Sequence, residues 1–91
     1  MQKNCRLFKV TGRVQGVWYR KSTQQQALQE GLTGWAVNLD DGGVEVCLCG
    51  STQGVAKVAA WLHQGPKAAR VDQVIELEVP NPCHVKGFTT G

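Results

Sequence analysis

Residues 1–29 hold not one aspartate or glutamate, yet they carry Lys3, Arg6, Lys9, Arg13, Arg20 and Lys21. The remaining residues hold four bases and seven acids, so a stretch of charge +6 is joined to one of −3. A one-signed segment can focus a field on an anionic ligand; the plainer alternative is six solvated surface cations. Long apolar runs are missing as well. Nothing approaches the roughly 20 residues of a membrane span, which sets aside a membrane partner. "MQKNCRLFK" lacks the apolar core of a signal peptide, and a cytoplasmic location is the expectation that follows.

Metal and nucleotide signatures are equally scarce. Cys47 and Cys49 form a CxC, tighter than the usual structural zinc pair, and no His or Cys cluster completes it. Neither GxxxxGK[ST] nor GxGxxG occurs. Repeats and low-complexity linkers are absent, and 91 residues leave no room for a second core, so residues 1–91 are expected to form one domain.

What is present alternates between strand and helix. "CRLFKVTG" (5–12) reads as a strand with Phe8 and Val10 on one face and Cys5, Leu7 and Lys9 on the other. Residues 21–32 read as a helix with Ala27 and Leu28 apolar and Gly31 at its C-terminal end. Two strands, 34–39 and 43–50, flank "DDGG", whose Asp-Gly supplies the positive φ of a hairpin turn. Residues 51–65 open on a Ser/Thr cap and place Val55, Val58, Ala59 and Leu62 on one helical face before Gly65-Pro66. A fourth strand covers 70–79, and residues 85–88 leave room for a short fifth.

The order β-α-β-β-α-β is the split βαβ pattern of an α+β, ferredoxin-like sandwich: an antiparallel sheet of order 4-1-3-2 with two helices on one face. Strand one then runs antiparallel to strand three, which brings Cys5 close to Cys49. Alternation points Val44, Val46 and Leu48 at the helices and leaves Cys47 and Cys49 on the other face with Cys5. A Cys5–Cys49 disulfide is within reach; two reduced thiols are the competing state in a cytosolic protein. Roles for Cys47 and Cys83 do not follow.

Between strand one and helix one lies "GRVQGVWYR" (12–20). Gly12 and Gly16 let the backbone bend, and Arg20 begins a helix. Its planar fork, the loop amides and the helix dipole can converge on one tetrahedral anion. No cysteine stands in the loop as a nucleophile. His63 and His84 are far from it in sequence and read as surface histidines.

"GRVQGVWYR" followed by "GLTGWAVNLDDGGVEV" resembles the two signatures of the acylphosphatases, which hydrolyse carboxyl-phosphate anhydrides. "AAWLHQGPKAARVDQV" (59–74) is similar to the family's second helix and its turn into the fourth strand, so the likeness spans nearly the whole chain. The resemblance implies a cofactor-free, metal-independent hydrolase that converts an acyl phosphate to a carboxylate and inorganic phosphate. It implies that Arg20 binds the phosphoryl oxygens with loop amides from Gln15, Gly16, Val17, Trp18 and Tyr19. It further implies that Asn38 orients the attacking water; taken alone, an asparagine beside a hairpin is a turn residue. Trp18 and Tyr19 depart from the commonest form of the loop, and the tail "VKGFTTG" matches the family's last strand less regularly.

Two rivals share this fold. One is a non-catalytic module that binds a small anion. The other binds RNA, which requires exposed aromatics on the central strands; Cys5, Leu7, Lys9, Glu45, Cys47 and Cys49 offer none. The expectation is therefore a monomeric enzyme with one small-molecule substrate and no nucleic-acid partner.

Overall fold

The computed structural model describes residues 4–79 and 86–90. Its elements are β1 (Asn4–Arg13), α1 (Tyr19–Gln29), β2 (Thr33–Asn38), β3 (Val44–Gly50), α2 (Thr52–Leu62), β4 (Arg70–Leu77) and β5 (Phe88–Thr89). They form one sheet of order β4-β1-β3-β2-β5. The ferredoxin-like core and the order 4-1-3-2 are as expected from the sequence. The short fifth strand lies outside β2 and runs parallel to it, pairing Gly34 with Phe88 and Trp35 with Thr89. The sheet is therefore mixed rather than wholly antiparallel, and β2 is not its edge. Cys83, His84 and Val85 lie outside the described residues. Among the described residues, no helix is long and apolar enough to cross a membrane.

Strand alternation decides the core. Phe8 and Val10 of β1, Ala36 of β2, and Val44, Val46 and Leu48 of β3 point to the helix side and are buried there with Val55, Val58, Ala59 and Leu62 of α2. The α2 stripe has a spacing of three and four residues, and Ser51 caps the helix by accepting from the Gly54 amide at 3.0 Å. The opposite face is not bare: Leu7, Cys47 and Cys49 form a second small cluster with Cys5, Trp35 and Val79. Cys5 and Cys49 are register partners with Cα atoms 4.1 Å apart and their sulfurs at disulfide distance.

Helix α1 is polar nearly all round, and its buried stripe is only Tyr19, Thr23 and Ala27, one residue per turn. That narrow stripe takes in Ala27 and leaves out the other apolar residue expected in the helix, Leu28. Leu28 lies about 100° further round the helix and is 56% exposed. Tyr19 anchors the helix instead. Its ring lies 5.8 Å from that of Trp61, and its hydroxyl donates to the Leu62 carbonyl at 2.7 Å. A Cβ on Gly65 would stand 2.8 Å from the Tyr19 ring, so only glycine lets the end of α2 approach so closely.

Burial pushes the Tyr19 phenol well above its ordinary value. The folded chain thus keeps a proton that the unfolded chain gives up. This contribution to stability is complete below the ordinary phenol pKa of about 10 and is lost as pH climbs beyond it. Tyr19→Phe is expected to shrink that alkaline loss while costing about 1 kcal/mol at neutral pH through the missing hydrogen bond. Urea titrations of both proteins at neutral and alkaline pH check the two effects together.

Candidate active site

The chain leaves β1 at Arg13 and reaches α1 at Tyr19 by a loop whose side chains alternate in fate. Val14 and Val17 are buried in the main core, while Gly16 and Trp18 face outward. Anchoring two valines fixes the path of the backbone between them. Trp18 then adopts φ 66° and ψ 16°, the only positive φ of a non-glycine residue among the described residues. The left-handed region costs such a residue about 1–2 kcal/mol. The turn lets α1 begin at Tyr19, two residues before the start expected from the sequence.

An early helix start has an electrostatic result. The first amides of a helix have no carbonyl one turn back, and here the N-cap residue Trp18 forms no side-chain capping bond. No acidic residue stands in the first turn either. The dipole's positive end therefore faces a pocket of about 470 Å³ lined by Val14, Gly16, Trp18, Tyr19, Arg20, Lys21 and Thr90. Two cations and a set of unspent amides meet there. An anionic group is the complementary occupant of this end of the pocket.

Arg20 is held in place from behind. Its Nη1 donates to the Thr90 carbonyl at 2.9 Å, which occupies one of the five guanidinium N–H donors and leaves the rest of the fork available. One turn along α1, Gln24 donates to the Phe88 carbonyl at 2.8 Å. Both contacts tie the short β5 to the helix that carries Arg20.

Of the residues expected in the site, Gly16, Trp18, Tyr19 and Arg20 line the pocket. Val17 supports it from the core. Gln15 turns its side chain the other way: its Nε2 donates to the carbonyls of Leu39 and Gly43, each at 2.8 Å. This amide staples the loop to the β2–β3 hairpin, and the stapled Leu39 directly follows Asn38. Asn38 ends β2, is exposed, and does not line the pocket itself. Alternation puts it on the Ala36 side of the sheet, the side on which the loop and α1 lie. The hairpin is further held by the Lys9–Asp41 ion pair and by the Gly43 amide, which donates to Asp41 at 2.9 Å. Those bonds, that from Lys9 foremost, hold the Asp41 carboxyl below its ordinary value.

Gln15→Ala removes two bonds to carbonyls at once. We expect a loss of about 1–3 kcal/mol of stability, because loop and hairpin lose their shared anchor. A urea midpoint unchanged from that of the unmodified protein would show that the staple does not hold loop to hairpin.

The Acylphosphatase family profile matches residues 6–90 of the chain. The chain belongs to the acylphosphatase family. An acylphosphatase from Photobacterium profundum is 48% identical over 88 residues, 97% of either chain. One from Halorhodospira halophila is 54% identical over 82 residues, covering 90% of this chain and 88% of its own. In three dimensions the fold is similar to the structure of an acylphosphatase from Coxiella burnetii, with a TM-score of 0.88 and 34% identity over 98% of this chain and 93% of that one. Acylphosphatase activity, with an acyl phosphate as substrate and phosphate as product, follows from these relationships.

Proposed function

We propose that the pocket at the start of α1 binds the phosphoryl group of the acyl phosphate, with Arg20 and the amides of the 15–20 loop as donors, and that Asn38 orients the attacking water. The observation that carries this reading is the convergence of Arg20, Lys21 and an uncapped helix N-terminus on one pocket.

The chemistry asks for little more. Water oxygen attacks phosphorus, the bond from phosphorus to the carboxyl oxygen breaks, and the carboxylate leaves with the electron pair. Its conjugate acid has a pKa of about 4, so it departs without a general acid. The water proton passes late to a phosphoryl oxygen. Charge on the equatorial oxygens grows in the loose transition state, and a fixed guanidinium and fixed amides meet that charge without reorganising. An asparagine is too weak a base to take a proton but has both a donor and an acceptor to fix one water. The same site would serve unactivated phosphate esters poorly, since an alkoxide leaving group needs a proton donor. No metal or cofactor is needed at any step of this scheme.

In this reading residues 1–91 act as one domain, as a monomer in the cytoplasm, without a nucleic-acid or membrane partner. The paired sulfurs of Cys5 and Cys49 support a disulfide-bonded form, which intact mass before and after reduction tests. Hydrolysis of benzoyl phosphate in the presence of a metal chelator, with inorganic phosphate as competitive inhibitor, tests the whole. Phosphate inhibition without turnover would instead support a module that binds a small anion.

A further inference from the structure

We propose that Trp18 is the residue that receives the acyl group, and that it biases the enzyme toward acyl phosphates with aromatic or extended apolar acyl chains. The proposal rests on the phosphoryl-binding reading of the pocket and adds the substrate's other half to it.

Three observations meet at this residue. The indole is 77% exposed, the most exposed of the large apolar side chains among the described residues, and it lines the pocket with Arg20 and Lys21. Its neighbours Val17 and Tyr19 are both buried, so the backbone is clamped on either side while the ring is thrown outward. Finally, the residue holds a left-handed backbone conformation that glycine would take without strain, and its side chain forms no capping bond to offset this. A bulky residue in a strained position at a ligand site points to a role for its side chain at that site.

The substrate's shape supplies that role. With the phosphoryl oxygens gathered by Arg20 and the loop amides, the leaving group is on the far side of phosphorus from the attacking water and extends toward the pocket mouth. A flat indole beside that path offers a face to an aromatic ring or a methylene chain. It offers little to a single methyl group, so acetyl phosphate gains least.

Trp18→Gly tests this with little risk to folding, because glycine adopts φ 66° freely and retains the amide. The readout is the ratio of kcat/KM for benzoyl phosphate to that for acetyl phosphate, which divides out any effect on the phosphoryl half common to both. The ratio is expected to fall roughly three- to tenfold in Trp18→Gly, mainly through KM for benzoyl phosphate, and to return in Trp18→Phe. A ratio within about twofold of the unmodified enzyme in folded Trp18→Gly would overturn the proposal, since stacking of this kind is worth more than that. So would a fall in Trp18→Gly that Trp18→Phe did not restore. If the unmodified chain hydrolysed neither substrate, the phosphoryl-transfer reading beneath the proposal would fall, and the proposal with it.

Discussion

Arg20→Ala is expected to lower kcat/KM for benzoyl phosphate by about a thousandfold or more and to abolish inhibition by inorganic phosphate. The side chain is braced by the fold through its bond to the Thr90 carbonyl. A braced guanidinium can make two parallel bonds to phosphoryl oxygens in an orientation fixed before substrate arrives. In the proposed scheme its loss removes the principal charge that meets the transition state. Lys21 cannot replace it, being an exposed point charge on a flexible stem. For the same reason Arg20→Lys is expected to recover only a small part of the activity. Stability is expected to drop by about 1 kcal/mol, since one partly buried hydrogen bond is lost. Steady-state kinetics with phosphate competition separates these effects. Phosphate inhibition of unchanged strength in Arg20→Ala would remove Arg20 from the anion site.

Asn38→Ala is expected to act on a different quantity. Turnover should fall by about a hundredfold while the inhibition constant for phosphate stays within about twofold. Asn38 does not line the anion pocket, so it contributes little to holding the phosphoryl group. It ends the strand from which the hairpin departs, on the side of the sheet that carries the loop. Stability should barely change, because the side chain is exposed. If kcat survived the substitution, the water would have to be oriented by another group. If phosphate binding fell in parallel with kcat, Asn38 would be an anion ligand and not a positioner of water.

Much of this architecture was legible wherever a side chain had only one sensible environment. Val44, Val46 and Leu48 alternate with Glu45 and Cys47, and that pattern alone assigns β3 its two faces. Ser51 before an apolar three-four stripe announces α2 and its cap. Asp41-Gly42 announces the hairpin. Less could be read where tertiary contacts override local preference. Nothing in tryptophan predicts a left-handed φ, so α1 starts two residues earlier than its polar run suggests. Tyr19, a loop member by motif, proves to be the helix's main apolar anchor, and Leu28 is left outside because the stripe is one residue wide. Gln15 carried no sign that its side chain would reach across 24 and 28 residues to two hairpin carbonyls. The short fifth strand expected within residues 85–88 is found at Phe88–Thr89, but its parallel pairing outside β2 had no local signal, because only the tertiary fold brings that edge to it.

That last strand carries a liability. Among the described residues it is held by a short parallel pairing with β2, the Gly34 amide donating to the Gly87 carbonyl at 2.9 Å, the two side-chain bonds from Arg20 and Gln24, and the burial of a single ring, that of Phe88. So few bonds can open together at much less free energy than the four-stranded body behind them requires. Each opening takes away the brace behind Arg20 and lifts Phe88 out of the core, while the other four strands stay paired. The enzyme would then have two melting events rather than one: a catalytic one, when the tail peels away, and a structural one, when the sheet gives way. Along a urea gradient, turnover should fade before the far-ultraviolet signal does, and the gap between the two curves would measure how firmly the end of the chain is fastened to the chemistry.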